Sequence, residues 1–305
     1  MSEINLHHEL LEQGQTKFEI ARRVRAGDLS RLRRGAYAGA LPGDAAPVAA
    51  HAALVAATLR QVSNEAVVSH ASAAVIHGLP TWIDQLDRVH LTRNRAGGGR
   101  RERNLYVHGA PISDHETTVI DGIKVTRLAR TVVDLSRMES IERGVAAGDA
   151  ALRLGLRQYE LTASVAAACG RRGIGQARIT AELVDVRSES VGESFSRVRF
   201  WRWGVPAPIL QLEVRDPNGG LVGRCDFGWP EFGTIGEFDG RVKYGLLLKP
   251  GQTAEDVLLA EKRREERLRE LGWQVVRWGW ADLKNRTELT ARLEAAFRRG
   301  RDMTT

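Results

Sequence analysis

Tryptophan is distributed very unevenly along this chain of 305 residues. Trp82 is the only tryptophan among the first 200 residues, whereas the other six lie between Trp201 and Trp280. The first two-thirds of the chain is rich in Ala, Leu, Val and Arg instead. Because large aromatic side chains dominate the core in which they are buried, this shift predicts a separately packed C-terminal region. We place its start near the polar residues 185–190.

The composition is that of a globular protein with a basic excess. Hydrophobic residues make up 43% and charged residues 27% of the chain, and the net charge is +7. This excess favours a nucleic-acid partner without proving one. The longest apolar run, residues 45–59, contains Pro47 and His51 and is shorter than the ~20 residues of a membrane span. The sequence has no secretory signal pattern and no Cys-x-x-Cys pair. We therefore expect a cytoplasmic protein with neither a membrane anchor nor a disulfide scaffold.

A short basic segment, residues 15–35, contains seven Lys and Arg but only two acidic residues. Thr16 can cap a helix that ends at Gly27. Three apolar residues at three-residue spacing are expected to face a small core: Phe18, Ala21 and Val24. This arrangement leaves Arg22 and Arg23 facing outward.

The remaining elements are predicted from turn signals and periodicity. Residues 29–38 are typical of a hairpin, and residues 47–184 mix helices with strands. The histidines of this middle segment show no metal-ligand spacing, and we interpret them as core or surface residues: His70, His77, His90 and His108. The last third has the order helix, three strands, helix, strand. Its residues 216–220, Asp-Pro-Asn-Gly-Gly, are a strong turn signal.

Carboxylates concentrate on two neighbouring strands of this last region. Asp226 ends the second strand, and Glu237 and Asp239 lie at period two on the third, so that they share one face. If these strands pair as a meander, the three carboxylates crowd one end of the sheet and repel one another. A divalent cation such as Mg²⁺ would relieve the repulsion, and a bound metal can activate water toward a phosphodiester. Solvated strand ends are an equally good interpretation of the same spacing.

The long helix that follows carries two charges within an apolar stripe. Glu261 and Arg264 lie at helical spacing beside Leu268 and Leu271. They either pair with each other or reach toward the carboxylates. A solvated pair three residues apart would contribute only about 0.2–0.5 kcal/mol.

The first two segments resemble the AbiEi family of bacterial abortive-infection antitoxins and related regulators. The N-terminal match is GQTKFEIARRVRAGDLSRLRRGAYA at residues 14–38, and the middle matches are VVSHASAAVIHGLP at 67–80 and VTRLARTVVDLSR at 125–137. The resemblance covers roughly residues 5–160 and implies a winged helix-turn-helix with residues 31–37 as its wing. It implies DNA binding by basic residues of the helix and the wing: Lys17, Arg22, Arg23, Arg25, Arg33 and Arg34.

The last third is similar to the restriction-endonuclease-like domains related to very-short-patch repair enzymes, a branch of the PD-(D/E)xK nucleases. The match comprises Glu193 in the first helix, CDFGWPEFGTIGEFDG at 225–240 and KRREERLRELGWQVVRWGWADL at 262–283. It implies that Asp226 and Glu237 bind Mg²⁺, with Mn²⁺ as a substitute, and that Glu193 supports the site.

Two positions depart from the nuclease pattern. Asp239 stands where the general motif has its lysine, a substitution that this branch shares. Lys243 and Tyr244 occupy the region where the branch often has a histidine. Either Lys243 stabilises charge during catalysis in place of that histidine, or catalysis is weakened.

Together these features predict an α/β protein of the α+β kind. Its three expected parts are a winged helix-turn-helix at residues 1–45, a mixed α/β domain at 46–184 and a restriction-endonuclease-like sandwich at 185–305. We expect a DNA-binding protein with a Mg²⁺-dependent phosphodiesterase domain, which serves phage defence or a toxin–antitoxin locus. The alternative is a non-enzymatic antitoxin or repressor that uses the same C-terminal fold to bind a partner, such as a nucleotidyltransferase-type toxin.

Overall fold

The computed structural model describes residues 4–39, 47–62, 66–95, 98–240 and 253–302. The chain divides into two compact units. Unit 1 lies within Met1–Ser140 and Ala150–Glu182, and unit 2 lies within Ile141–Asp149 and Leu183–Thr305. Among the described residues, every helix is too short or too polar to cross a membrane.

Unit 1 begins with two short helices and a small antiparallel sheet. In chain order the elements are β1 (Ile4–Leu6), α1 (His7–Glu12), α2 (Lys17–Ala26), β2 (Leu29–Arg33) and β3 (Ala36–Gly39). The strands follow the order β1-β3-β2. The predicted capping of α2 is confirmed, because the Thr16 hydroxyl accepts a hydrogen bond from Glu19 N at 3.2 Å and Gly27 ends the helix with a φ of 83°.

The face of α2 that packs on the core differs from the prediction. Ile20 and Val24 pack into a small cluster whose other members are Leu10, Leu29 and Tyr37. Phe18 is instead 70% exposed, and Ala21 is exposed as well. The prediction was wrong for these two residues because the four-residue spacing of Ile20 and Val24 matches the buried face of a helix better than a spacing of three.

The described residues between 47 and 183 form a mixed six-stranded sheet with its helices, and they belong to unit 1 except for Ile141–Asp149 and Leu183. The elements between residues 47 and 183 are α3 (Pro47–Leu59), β4 (Val67–Val68), α4 (His70–His77), β5 (Val89–Arg93), β6 (Arg100–Arg101), β7 (Leu105–Gly109), β8 (Thr117–Ile120), β9 (Ile123–Thr126), α5 (Leu128–Ser136), α6 (Ile141–Arg153), α7 (Gln158–Ala167) and α8 (Ile174–Leu183). The strand order is β6-β7-β5-β4-β9-β8, with β5–β7 and β4–β9 parallel and the other pairs antiparallel. Val68, Leu91 and Val125 lie in its core. Helix α4 begins at His70, whose ring contacts His90 of β5 and His108 of β7.

Unit 2 is a four-stranded sheet with helices on both faces. Its elements are α9 (Val191–Trp203), β10 (Ile209–Arg215), β11 (Leu221–Trp229), β12 (Thr234–Phe238), α10 (Ala254–Glu270), β13 (Gln274–Trp278) and α11 (Arg286–Asp302). The strands follow the order β10-β11-β12-β13; the first two pairs are antiparallel and the last is parallel. The antiparallel pairing of β11 with β12, which the argument for crowded carboxylates assumed, is present, and the general α+β class is confirmed.

Apolar side chains cover both faces of this sheet. One face packs Trp229 and Trp278 against α9 and α11, and the other packs Cys225 and Ile235 against α10. The predicted element order ends at β13 and misses α11. Its buried residues nevertheless follow helical spacing: Leu289, Leu293, Ala296 and Phe297. Charged residues between these positions obscured the apolar stripe.

The two compact units differ from the three predicted parts of the chain. Residues 1–45 share unit 1 with most of the predicted middle domain, and unit 2 includes Ile141–Asp149 in addition to the C-terminal region. Asp149 explains this assignment, because its carboxylate accepts hydrogen bonds at 2.7 Å from Ser194 Oγ, Arg197 Nη2 and Asp185 N. Unit 2 is therefore built from two separate stretches of the chain.

Candidate functional site

Four polar residues lie at one level across the sheet of unit 2. We name them the polar row: Gln211 on β10, Asp226 on β11, Glu237 on β12 and Arg277 on β13. The ladder pairs on either side of them place Gln211 opposite Asp226. Asp226 and Glu237 each lie one residue beyond the last pair of β11 and β12, and Glu237 pairs directly with Arg277. Polar residues in a sheet with apolar cores on both faces break the local pattern, as functional residues commonly do.

Glu193, in the first turn of α9, adjoins one end of the polar row. Its carboxylate accepts hydrogen bonds from Ser190 Oγ (2.7 Å), Glu189 N (2.9 Å) and Gln211 Nε2 (2.9 Å). Gln211 has a φ of 53°, a left-handed conformation that residues with a Cβ rarely adopt. Such a conformation persists only where the surroundings fix it, so Gln211 is held in place as the link between α9 and the row.

Asp226 lies where the ladder between β11 and β12 stops. Its Oδ2 accepts a hydrogen bond from the backbone N–H of Phe238 at 2.9 Å. Phe238 stands between Glu237 and Asp239 in sequence, so this bond ties Asp226 to the segment that carries the other two carboxylates. Asp226 and Glu237 therefore occupy adjacent positions on neighbouring strands.

Two arginines neutralise the charge of Glu237. Arg264 of α10 donates to its Oε1, and Arg277 Nη2 lies 2.9 Å from its Oε2. Arg264 and Arg277 also reach Glu261 Oε1, at 2.8 and 2.6 Å. Both interactions that the sequence left open for Glu261 and Arg264 are therefore present: they pair with each other, and Arg264 reaches a carboxylate of the row.

Burial and charge set the protonation of the neighbouring groups. Burial opposes the positive charge of Arg264, but the hydrogen bond with Glu261 and the charge of Glu237 together raise the pKa of Arg264 above its usual range. Burial, followed by the negative charge of Glu237, raises the pKa of the Cys225 thiol to about 12. Cys225 is therefore a protonated core residue and not a nucleophile at neutral pH.

The other two predicted catalytic residues, Asp239 and Lys243, are not part of the polar row. Asp239 is exposed just past the end of β12 and lines a cavity of about 320 Å³ together with Arg277. Lys243 lies outside the residues that the structure describes. In the described part of the chain, Glu193, Asp226 and Glu237 do not bring three ligand atoms within 4.8 Å of one another. The three carboxylates therefore form an extended row and not a closed cage.

Two members of the polar row were missed by sequence reasoning. Gln211 stands between Leu210 and Leu212, and Arg277 stands between Val276 and Trp278. A polar residue inside an otherwise apolar strand was the signal for both. Their alignment with Asp226 depends on strand register, which the sequence pattern does not specify.

Of the basic residues predicted to bind DNA, four are exposed and two, Arg23 and Arg33, are half-buried. One face of α2 is exposed and consists of Lys17, Phe18, Ala21, Arg22 and Arg25. Arg34 is exposed in the turn between β2 and β3. Arg23 is half-buried, and its Nη1 donates to Gln15 Oε1 at 2.9 Å, so it belongs to the support of the helix and not to this face.

Arg33, the last residue of β2, faces a pocket of its own. This cavity of about 350 Å³ has three further arginines in its lining: Arg93, Arg95 and Arg100. The Nη1 atom of Arg33 is buried and has no hydrogen-bond partner. Glu102 also lines this cavity and pairs with Arg100 at 2.7 Å, which leaves an excess of positive charge that favours an anionic ligand.

Three histidines of unit 1 meet although they are distant in sequence. His70 begins α4, His90 lies on β5 and His108 lies on β7. One ligand atom of each lies within 4.8 Å of the other two, and His90 Nδ1 is 3.0 Å from His108 Nε2. Among the described residues this is the only such trio of His, Cys, Asp or Glu. The interpretation as separate core or surface residues missed the cluster, although Val-His pairs in two strands were a signal for it.

The histidine cluster is held by polar neighbours and borders a cavity. Ser69 Oγ is 2.9 Å from His70 Nδ1 and accepts a hydrogen bond from Thr92 Oγ1 at 2.8 Å. The cavity, of about 610 Å³, has His70 and His108 in its wall. Its other charged and aromatic lining residues are Arg101, Tyr106, Arg130, Asp134, Arg137 and Arg172. Four arginines against one aspartate make the lining positive.

An ion network lies beside this cavity. Arg130 is only 2% exposed, and its Nε donates to Asp134 Oδ2 at 2.8 Å while its Nη1 donates to Glu116 Oε1 at 2.6 Å. Asp134 is fully buried and also accepts from Arg137 Nη1 at 3.1 Å. Buried charges of this kind require their partners.

Burial lowers the pKa of several histidines in unit 1: His51, His70, His77, His90 and His108. The pKa of His90 falls to about 4, chiefly through burial and then through the charge of His51. Below about pH 6.5 the unfolded chain therefore binds more protons than the folded chain does. The contribution of these histidines to stability is fully present above that pH and is lost as the pH falls toward their pKa values in the folded protein. For His90 alone, the loss at about pH 5 amounts to about 2 kcal/mol.

We accordingly expect the melting temperature of the metal-free protein to fall when the pH is lowered from about 7.5 to about 5. His90→Gln should reduce this dependence, whereas His115→Gln, which removes an exposed imidazole, should leave it unchanged. Differential scanning calorimetry across this range measures both. Equal melting temperatures at the two pH values would contradict the assignment of buried neutral histidines.

Comparison with known proteins finds relatives of this chain in Mycobacterium tuberculosis. No protein-family model matches it. Two sequences of Mycobacterium tuberculosis, the uncharacterized proteins MT2308 and Rv2248, are each 30% identical over 269 residues, which cover 86% of this chain and 89% of the relative. The crystal structure of the RV2827C protein from Mycobacterium tuberculosis aligns with a TM-score of 0.39 and 14% identity, over 70% of this chain and 84% of that one.

Proposed function

This chain belongs to the family of the mycobacterial proteins MT2308 and Rv2248. Because both relatives are uncharacterized, we propose the function of this chain from its own geometry, as follows. It is a DNA-binding protein whose unit 2 hydrolyses phosphodiester bonds with the help of Mg²⁺. The observation that supports this proposal most directly is the adjacency of Asp226 and Glu237 at the point where β11 and β12 part. The proposal accounts for a polar row in a sheet that is otherwise apolar.

The donor set of the row fits a hydrated divalent cation. Mg²⁺ in proteins is usually held by one or two carboxylates, keeps several water molecules, and takes further oxygens from a substrate phosphate. Asp226 and Glu237 offer two such carboxylates on adjacent strands, and a closed cage of three ligands is not required. The ion would supply a water molecule of lowered pKa and polarise the scissile phosphate.

The side chains around the carboxylates have separate roles in this proposal. Ser190 and Gln211 hold the carboxylate of Glu193 in position. This carboxylate orients the attacking water molecule or accepts a proton from it. Arg264 and Arg277 hold Glu237 in its position, and their guanidinium groups can stabilise the negative charge that develops on the phosphate. Arg277 Nε is buried without a hydrogen-bond partner and is thus available for an added anion.

The direct experiment incubates the purified protein with plasmid and single-stranded DNA in the presence of Mg²⁺ or Mn²⁺. We expect cleavage of one of these substrates that stops on addition of a chelator and returns with excess metal. Cleavage that persists in the chelator would contradict a metal-dependent site. Intact DNA under all conditions would favour the regulator described below.

DNA binding is supported by the exposed face of α2. Lys17, Arg22 and Arg25 place three positive charges on one side of a helix that follows a short helix and a turn, and Phe18 adds an exposed aromatic ring between them. Lys and Arg bind backbone phosphates, and an exposed ring can contact bases. The arginine-lined cavity at Arg33 adds a second place for a phosphate.

We expect Arg22→Ala to weaken the binding of duplex DNA and to reduce the slope of log affinity against log salt concentration by about 1, because one phosphate contact is lost. Lys124→Ala is the matched control, since it removes an exposed positive charge from β9 of the same unit. Fluorescence anisotropy at several salt concentrations measures both slopes. An unchanged slope for Arg22→Ala would exclude this residue from the interface.

A second candidate function is a non-enzymatic repressor or antitoxin. The pairing of Glu237 with both Arg264 and Arg277 favours it, because these cations satisfy the carboxylate without a metal. This alternative expects specific binding to the promoter of its own gene, no dependence on Mg²⁺, and no effect of Glu237→Gln on repression. Co-purification with a nucleotidyltransferase-type toxin would assign the partner.

A further inference from the structure

The histidine cluster of unit 1 takes no part in the proposed function. His70, His90 and His108 come from three different elements, and two of them lie on neighbouring parallel strands. The register pairs His90 with Tyr106 and Thr92 with His108, so the two histidines lie diagonally on one side of the sheet. A buried ring nitrogen needs a partner, and here His90 Nδ1 and His108 Nε2 lie against each other while His70 Nδ1 lies against Ser69 Oγ.

We infer that His70, His90 and His108 form a binding site for one divalent transition-metal ion, zinc in the first place, whose remaining coordination position takes an anionic oxygen ligand from the adjoining cavity. Nitrogen ligands around a tetrahedral zinc ion lie about 3.3 Å apart, as follows from zinc–nitrogen bonds of about 2.0–2.1 Å. The rings of His70 and His108 are stacked, with centroids 3.7 Å apart and an interplanar angle of 15°, so one of them must rotate before both can direct a nitrogen at the same ion. The ligand atoms of the cluster all lie within 4.8 Å of one another, so such a rotation can gather them around one ion. The separation of His90 Nδ1 and His108 Nε2, 3.0 Å, is already close to the spacing of zinc ligands.

The surroundings of His70 are those of a positioned ligand. Its φ is 51°, a left-handed conformation at the start of a helix, and backbone strain of this kind concentrates at functional sites. Ser69 Oγ engages His70 Nδ1 and is itself fixed by Thr92, so Nε2 is the ring nitrogen left to bind a metal. A metal-binding histidine characteristically has its second ring nitrogen held in this way.

The cavity indicates what else the ion would bind. Three protein ligands leave zinc an open position, which is the arrangement of catalytic and not of structural sites. His70 and His108 both line the cavity of about 610 Å³, so a molecule bound there has access to the ion. Arg101, stacked on Tyr106 at 4.3 Å, and Arg172 give this cavity its positive charge. A phosphate or phosphate ester matches both the metal and the arginines.

Metal binding is tested with the full chain, stripped by chelation and then loaded with Zn²⁺ or Co²⁺. We expect one equivalent of zinc to remain after desalting and Co²⁺ to give the intense visible absorption of a tetrahedral site. His108→Gln should lower zinc affinity at least tenfold, while His115→Gln, an exposed histidine, should not. Ser69→Ala keeps all three imidazoles and should weaken affinity about tenfold through loss of positioning.

Inorganic phosphate, added to the Co²⁺-loaded protein, should change the absorption spectrum, because it enters the open position. Zinc binding equal in wild type and His108→Gln, or no retained metal at all, would overturn the site. A cobalt spectrum that phosphate leaves unchanged would overturn the anionic ligand. Because Asp226 and Glu237 are untouched by these variants, DNA cleavage by unit 2 is measured independently.

Discussion

Replacing Asp226 with asparagine is expected to reduce Mg²⁺-dependent DNA cleavage by about 100-fold or more, equivalent to about 2.7 kcal/mol of transition-state stabilisation. Asparagine has the same shape, and its side-chain oxygen can still accept the hydrogen bond from Phe238 N that Asp226 accepts at 2.9 Å. The change therefore removes the charge and leaves the local fold. Initial cleavage rates at saturating Mg²⁺ measure the effect.

Asp216→Asn is the matched control for this prediction. Asp216 lies in the turn between β10 and β11, and its Oδ1 accepts hydrogen bonds from two backbone N–H groups at 2.9 Å. It therefore tests loss of a structural carboxylate in the same hairpin without touching the polar row. Equal cleavage by Asp226→Asn and the wild type would show that the metal is bound elsewhere. Loss of cleavage by both variants would attribute the effect to the fold of the hairpin.

Arg130→Met is expected to destabilise unit 1 by about 3–5 kcal/mol, because it leaves the fully buried carboxylate of Asp134 without its main partner. The hydrogen bond to Glu116 is lost as well. In a domain of this size the melting temperature should fall by about 10 °C or more. Thermal and urea unfolding monitored by circular dichroism measure the change.

Two further variants separate buried charge from simple loss of contact. Arg157→Met breaks an exposed pair with Glu160 at 2.8 Å and should leave the stability almost unchanged. Adding Asp134→Asn to Arg130→Met removes the stranded charge, so the double variant should regain part of the lost stability. A double variant less stable than the wild type by the sum of the two single-variant costs would contradict the coupling.

Local signals in the sequence predicted most of the elements. The cap at Thr16, the glycine that ends α2 at Gly27 and the turn at residues 216–220 act within a few residues of themselves, and each has its expected effect. The carboxylates Asp226 and Glu237 were found because they sit at the ends of predicted strands. In these cases the information needed is contained in one short stretch of chain.

The contacts that depend on long-range register could not be predicted in this way. The polar row requires the alignment of four strands, and the cluster of His70, His90 and His108 requires the parallel pairing of β5 with β7. The sequence marks individual residues, such as a polar residue within an apolar strand, but it does not show which strands pair or in which register. Phe18 shows the opposite error, since its periodicity suggested burial while the small sheet beneath α2 accommodates Ile20 and Val24 instead.

Helix α6 has a consequence for the evolutionary history of this architecture. Its residues Ile141–Asp149 belong to unit 2, where Asp149 holds Arg197 at 2.7 Å and Glu142 lies 2.8 Å from Arg202. A recombination event that transferred only the gene segment for residues 183–305 would leave both arginines without these acids. Transfer of that segment alone would therefore separate unit 2 from residues 141–149, which are part of it.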